Sequence, residues 1–399
     1  MYKLYCRSYQ GVVKIVSNAL SWREPELLEG ENSLIELPKV IKKQGIESVL
    51  IITDEGIVAV GLLEALLKRL QKEEVKFVIY DKTMPNTPIE NIEEAVKIYK
   101  ENNCQGIIAF GGGSPIDCAK VAGARIVQPN KSIHQMKGLL KVKKKLPPLF
   151  AVPTTAGTGA EATIAAVVSN SKTNEKYPLM DTVLLPQYAV LDPLLTTKLP
   201  PHITSITGMD ALTHAIESYI GRSNTKNTKQ WSIDATKLIF ENLYEAYING
   251  DNITARKHMQ KAAYLAGMAF TRAYVGYVHA IAHTLGGFYN VPHGLANAII
   301  LPYVLEYYGS SVHKQLAELA DIVGISKSDD TLEQKANKFI DEIKRMNSQM
   351  DIPKTVAGIN NEDIPFMVKR ALQEANPLYP VPKIFYKEDI NKIIHKIKA

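Results

Sequence analysis

Two stretches in the second half of the chain carry side chains whose types and spacing suit a divalent metal ion. In GMDALTHAIESYI, Asp210 and His214 stand at i and i+4 of a strongly helical pattern, so both project from one face and can chelate together. In VHAIAHTLGGFYNVPHG, His279 and His283 repeat that spacing, and His293 follows in a Pro-His-Gly turn where the bent backbone lets its ring face inward. Three imidazoles and one carboxylate suit Zn²⁺ or Fe²⁺ and not Ca²⁺, which takes oxygen ligands. Spacing alone admits either His283 or His293 as the fourth ligand. A lone histidine is more often a packed core residue, but four of the chain's nine histidines crowd into these two segments, which favours a metal or catalytic centre.

The first half offers a second kind of chemistry. The strand-like run GIIAF leads into Gly111-Gly112-Gly113-Ser114-Pro115, followed by a helical pattern from Ile116. Glycines let a phosphate approach the backbone, and Ser114 as N-cap with Pro115 as first helical residue would aim free N–H groups at it. The loop Pro153-Thr154-Thr155-Ala156-Gly157-Thr158-Gly159 also follows an apolar run and clusters hydroxyls suited to ribose or phosphate. Plain tight turns are the competing reading for both loops. Asp54 closes the first clear apolar run, SVLIIT; a carboxylate there accepts from ribose hydroxyls and repels a 2′-phosphate, favouring NAD over NADP.

Elements that position these residues are visible in the hydropathy pattern. Strands are expected at Ser48–Thr53, Val75–Tyr80, Gly106–Phe110 and Leu149–Val152, with helices such as Gly61–Lys72 and Ile89–Asn102 between them. Such alternation implies a parallel sheet with helices on both faces and ligands at the carboxyl ends of the strands. Beyond Leu199-Pro200-Pro201 only helical patterns occur, among them Ser232–Tyr247, Thr254–Thr271, Val275–Leu285, His313–Asp321, Leu332–Met346 and Pro365–Glu374. The expected division is an α/β Rossmann-like dinucleotide-binding domain over residues 1–199 and an all-helical metal-binding domain over 200–399, with the active site in the cleft between them. An extra N-terminal helix, about residues 1–22, carries the apolar stripe Tyr2, Tyr5, Tyr9, Val12, Val13, Val16 and Leu20. A stripe of this kind packs on its own protein or on a subunit partner; the alternative is an interfacial helix with Lys3, Arg7 and Lys14 facing lipid headgroups.

A 399-residue chain with 46% hydrophobic and 22% charged residues is that of a globular protein with two domains. The net charge of +6 is too small for this length to argue for nucleic acid, and the Lys141–Lys145 run reads as a solvated loop. No apolar run approaches the roughly 18 residues of a membrane span, and Arg7, Gln10 and Lys14 interrupt any signal-peptide core. Three cysteines without paired spacing fit a reducing cytoplasm.

Taken with GGGSPIDCAK, PTTAGTGAEAT and LLPQYAVLDPLLTTKLP, the metal motifs closely resemble those of the iron-containing (group III) alcohol dehydrogenases, from about Pro25 to the C-terminus. The resemblance implies the dehydroquinate synthase-like two-domain fold and a homodimer or higher homo-oligomer. It assigns Asp210, His214, His279 and His293 as ligands of Fe²⁺ or Zn²⁺, and it leaves His283 close to substrate to relay the alcohol proton. It also implies that Asp54, Asn86, Gly112, Gly113, Ser114, Pro115, Thr154, Thr155, Thr158, Val167 and Lys176 contact NAD, although for Lys176 a surface lysine after the turn Lys172-Thr173-Asn174 fits equally. The activity implied is hydride transfer between nicotinamide and a small primary alcohol, diol or aldehyde. Phe270 and Tyr274 would line the substrate pocket; Arg272 and Tyr274 depart from the family's commonly smaller residues. Competing readings are a metal- and NAD-dependent lyase or cyclase of the dehydroquinate synthase type, or a non-catalytic assembly protein.

Overall fold

The computed structural model describes residues 1–20, 22–170 and 175–399; the turn Lys172-Thr173-Asn174 lies outside them. The chain forms two compact units, one of Trp22–Lys198 and one of Met1–Ser21 with Leu199–Ala399. Helix α1 (Tyr2–Ala19) therefore groups with the second half of the chain and not with the α/β half, where the sequence places it. Local pattern cannot reveal this, because the partners of α1 lie some 370 residues away, as for Arg7 and Val381 (374 residues).

The Trp22–Lys198 unit is built on strands β1 (Glu26–Glu29), β2 (Ser48–Ile52), β3 (Lys76–Tyr80), β4 (Gly106–Gly111), β5 (Gly138–Leu139), β6 (Leu149–Pro153), β7 (Ala165–Asn170), β8 (Glu175–Met180) and β9 (Tyr188–Leu191). Six form an all-parallel sheet in the order β1-β9-β6-β4-β2-β3, and β5-β8-β7 form a separate small sheet. Parallel strands need crossovers, supplied here by α2 (Leu37–Lys43), α3 (Glu55–Ala59), α4 (Glu64–Lys72), α5 (Ile89–Glu101) and α6 (Gly113–Val127). Both faces of the sheet are covered: Leu50, Ile52, Ile107 and Ala109 pack into one core, and Val49, Ile51, Ile108 and Phe110 into another. The near-continuous apolar runs of these strands follow from this two-sided burial.

In the other unit, helices α7 (Pro201–Ile220), α8 (Lys226–Ile248), α9 (Ile253–Ala273), α10 (Tyr277–Tyr289), α11 (His293–Tyr308), α12 (His313–Ile322), α13 (Leu332–Gln349), α14 (Ile364–Ala375) and α15 (Lys387–Ile397) make a bundle. Helix α7 is its axis, buried without interruption from Gly208 to Ile220. Close approach to α7 is enforced at Gly294, where a Cβ would stand 2.4 Å from the Ile206 carbonyl oxygen.

The apolar stripe of α1 does not face inward. Tyr2, Tyr5, Tyr9, Val12 and Val16 are exposed, and the buried positions are Cys6, Gln10 and Ser17. Arg7 and Lys14 bond to backbone carbonyls of the same unit, so neither is available to a headgroup as the interfacial alternative requires. Among the described residues no helix is long and apolar enough to cross a membrane.

Candidate metal centre and nucleotide loops

Helix α7 presents Asp210, His214 and Glu217 at i, i+4 and i+7, on one face of an otherwise apolar core helix. Helix α10 brings His279, and α11 begins at His293, with Pro292 as its N-cap. His293 is thus the first residue of a helix and not part of a turn; Pro292 fixes the entry and the helix continues through Pro302 to Tyr308. One donor atom from each of Asp210, His214, His279 and His293 lies within 4.8 Å of the others. The rings are ordered by stacking: His214 lies 4.1 Å from Phe270 and 4.5 Å from His279, centroid to centroid.

The chemistry of this donor set calls for a cation. The Asn297 amide, fully buried, stands 2.7 Å from Asp210 Oδ1 and 3.2 Å from both His279 Nε2 and His293 Nε2. One carboxylate oxygen and two imidazole nitrogens thus converge on a single buried amide, the mix of donors a borderline divalent ion takes. Burial and the neighbouring His214, His293 and His283 rings hold His279 well below the usual imidazole range, keeping its lone pair for an ion. On the far side of the ring, His279 Nδ1 meets Glu217 Oε2 at 2.7 Å, and Glu217 also accepts from Gly276 N and Val278 N, each at 2.8 Å. Burial pushes the Glu217 carboxyl up to about 7 against the pull of those bonds. Carboxylate–histidine pairs of this kind fix the tautomer and aim the other nitrogen.

His283 lies outside the four-donor group. Its ring stacks 5.1 Å from His293, and its Nδ1 is 2.7 Å from Glu374 Oε1. Phe270 covers His214, but Arg272 turns away and sits over the Trp231 ring of α8, 4.6 Å from its centroid. Tyr274 caps α9 with φ +67° and ψ 174°, a region otherwise reserved for glycine. Its phenol is pushed up by burial and, to a lesser extent, by Tyr9.

In the other unit, α6 starts at Gly113 with Gly112 as N-cap, two residues earlier than the Ser114 cap expected from sequence. Gly111 permits this: its φ is +153°, and a Cβ there would meet the Pro115 ring at 2.5 Å. A Cβ on Gly113 would stand 3.0 Å from Thr158 Cγ2, and one on Gly112 would stand 3.4 Å from Thr155 Cγ2, so the glycine and hydroxyl loops lie against each other. Asp54 Oδ1 caps α3 by accepting from Ile57 N at 3.0 Å. Lys176 donates to Asn86 Oδ1 at 2.9 Å, Thr87 Oγ1 donates to the Ser114 carbonyl at 3.2 Å, and Val167 N donates to Asp117 at 3.0 Å. The loop residues proposed from sequence therefore follow the carboxyl ends of β2, β3, β4 and β6 or lie on β7 and β8.

Behind these loops Lys120, fully buried, donates to the Thr163 and Ala165 carbonyls at 2.8 Å and to Thr163 Oγ1 at 2.9 Å. Burial lowers its ammonium to about 8 and raises the nearby Glu161 carboxyl to about 7. A carboxyl raised from 4.5 keeps its proton in the folded chain where the unfolded chain has lost it, so its share of stability is present at low pH and is lost as pH rises toward 7. Glu161→Gln should flatten that slope, by at most about 1.4 kcal/mol per pH unit. The check is the melting temperature of both proteins from pH 5 to 7; parallel curves would remove Glu161 as the source.

Comparisons with known proteins follow the same division. Residues 25–193 match the family described as Iron-containing alcohol dehydrogenase, and residues 204–398 match the Fe-containing alcohol dehydrogenase family, C-terminal. Alcohol dehydrogenase 4 of Saccharomyces cerevisiae is 39% identical over 371 residues, 92% of this chain and 95% of that protein. The NAD-dependent methanol dehydrogenase of Bacillus methanolicus is 34% identical over 372 residues, 93% of this chain and 97% of that one. Among solved structures, the alcohol dehydrogenase from Oenococcus oeni superposes with a TM-score of 0.91 at 35% identity, covering 95% of this chain and all of its own (100%). The chain belongs to the iron-containing alcohol dehydrogenases. It is an oxidoreductase of alcohols and aldehydes, which sets aside the lyase and assembly readings.

Proposed function

We propose that this enzyme moves a hydride between NAD(H) and a small primary alcohol, diol or aldehyde, at one Fe²⁺ held by Asp210, His214, His279 and His293. The observation that carries this is the convergence of one donor atom from each of Asp210, His214, His279 and His293 to within 4.8 Å of one another. Bound there, a divalent ion supplies Lewis acidity to the substrate oxygen while nicotinamide exchanges the hydride with the adjacent carbon. Zn²⁺ fits the same donors; the family favours iron.

The chain's own residues do the rest. Glu217 aims His279, and Phe270 offers an apolar wall beside His214. Because Glu374 engages His283 Nδ1, Nε2 is the nitrogen left to take the hydroxyl proton in alcohol oxidation and pass it to solvent, or to return it in aldehyde reduction. Tyr274, at the C-terminal end of α9 four residues beyond Phe270, would line the substrate pocket with it. The amides of Gly113 and Ser114 at the α6 N-terminus would meet the cofactor phosphates, with Pro115 shaping the turn. Gly112, Thr154, Thr155, Thr158, Asn86, Val167 and Lys176 surround the remainder of the cofactor. The three cysteines are unpaired, which suits a reducing cytoplasm, and the exposed apolar residues of α1 suit a homo-oligomer.

The test is anaerobic purification with metal analysis, followed by an alcohol and aldehyde panel with both nicotinamide cofactors; no bound transition metal and no turnover would refute the reading. NAD preference rests on Asp54, just beyond the carboxyl end of β2, where its Oδ1 caps α3. Asp54→Gly should shift the NADPH/NADH ratio of kcat/KM upward by about tenfold or more, one tenfold being about 1.4 kcal/mol of relieved repulsion. An unchanged ratio would place Asp54 away from the ribose.

A further inference from the structure

Helix α1 lies wholly before residue 25, where the family match begins. Its grip on the bundle is directed at one short segment. Arg7 sends Nη1 to the Val381 carbonyl at 2.7 Å and Nη2 to the Pro382 carbonyl at 2.8 Å, and Gln10 Nε2 reaches the Tyr379 carbonyl at 2.7 Å. Lys14 donates to the Arg222 carbonyl at 3.0 Å, and Arg222 N in turn donates to the Pro380 carbonyl at 2.7 Å. The target, residues 377–382, contains three prolines and so cannot settle into a regular element that would use its own carbonyls.

That segment carries Tyr379. Its hydroxyl donates to Glu374 Oε1 at 2.9 Å, and the same oxygen is the partner of His283 Nδ1 at 2.7 Å. A continuous train thus runs from α1 through the 379–382 backbone, the Tyr379 phenol and the Glu374 carboxylate to the His283 imidazole. Hydrophobic packing does not explain why α1 is there, since Leu4, Tyr5, Val12 and Ile15 point outward.

We propose that α1 is a brace for the active site: Arg7 and Gln10 hold the Tyr379–Pro382 backbone so that Tyr379 and Glu374 keep the His283 ring oriented with Nε2 toward substrate. The inference rests on the proton-relay reading of His283. Arg7, Gln10, Tyr379 and Glu374 are positioning residues, and none touches the reacting atoms.

The experiment is a cycle in the full-length, metal-loaded enzyme. Arg7→Met with Gln10→Leu removes the three bonds to residues 379–382 while keeping side-chain bulk. It should lower kcat about tenfold, a part of the ~10²–10⁴ that a placed acid or base contributes, with NADH KM and bound metal unchanged. In a His283→Ala background the same pair should have no further effect, because the brace then has nothing to orient. Tyr379→Phe, a milder change that spares α1, should lower kcat in the same direction, and Arg7→Lys should recover part of the loss.

A loss of equal size with and without His283, or a loss of bound metal, would overturn the brace and leave α1 a stabilising strut. A normal kcat in the Arg7/Gln10 variant beside an impaired His283→Ala would overturn the brace alone. A normal kcat in His283→Ala itself would remove the relay reading and the brace with it.

Discussion

His279→Ala is expected to strip the enzyme of its metal and nearly all of its turnover. His279 is 3% exposed, its Nε2 faces the Asp210 and His293 donors, and Glu217 locks its other nitrogen. Alanine leaves a hole where a borderline ion needs an imidazole, and a buried carboxylate without its partner. Lewis-acid stabilisation worth several kcal/mol corresponds to about three orders of magnitude in kcat. NADH binding should persist, because the proposed cofactor loops belong to the separate Trp22–Lys198 unit. The measurements are metal content by elemental analysis, kcat, and NADH affinity by fluorescence titration. Full metal occupancy in the variant would dismiss the donor assignment.

Gly294→Ala, one methyl group, should do damage out of proportion to its size. The added Cβ would lie 2.4 Å from the Ile206 carbonyl oxygen and 3.4 Å from Asp210 Cβ. A backbone oxygen in the middle of α7 cannot rotate aside as a side chain can, so α11 must back away. Overpacking a tight core costs about 1–3 kcal/mol, which for a unit near 200 residues lowers the melting temperature by roughly 2–12 °C, the upper end applying against an unyielding neighbour. Since His293 precedes Gly294 and Asp210 lies across the contact, metal affinity should fall about tenfold or more as the donors spread. Thermal melts and chelator competition read the two effects. Wild-type values in both would mean that the helices have slack at this crossing.

Legibility in the sequence tracked locality. Strands β2, β4 and β6 are readable because burial on both faces makes them continuous apolar runs, and β3, a half-buried edge strand, is still apolar from Phe77 to Tyr80. β1 reads ELLE and is masked by its charged ends, β8 contains Pro178, and β9 is only four residues long, so none stands out by period. Helix α11 hides for the opposite reason: it is apolar on nearly every side and interrupted by Pro302, so it has no amphipathic stripe. That omission conceals Asn297, four residues beyond His293 and at the middle of the donor group. Glu217 was within reach, being seven residues after Asp210 on the same helical face, but its partner turn at Gly276–His279 can be assigned only in three dimensions. Arg272 shows the limit of chain proximity to a site: it lies against Trp231 of α8.

Arg7 and its acceptor Val381 are 374 residues apart, which sets an order of events on the ribosome. At about 5–20 residues per second, α1 emerges roughly 20–75 s before the carbonyls that receive it have been made. The segment 22–198 has its own two cores and can mature in that interval, while the first helix waits with both its polar anchors and its outward Leu4, Tyr5, Val12 and Ile15 uncovered. Helix α1 thus cannot be seated until most of the chain that follows it has been made, and through that interval its anchors and outward apolar side chains are open to aggregation or chaperone capture.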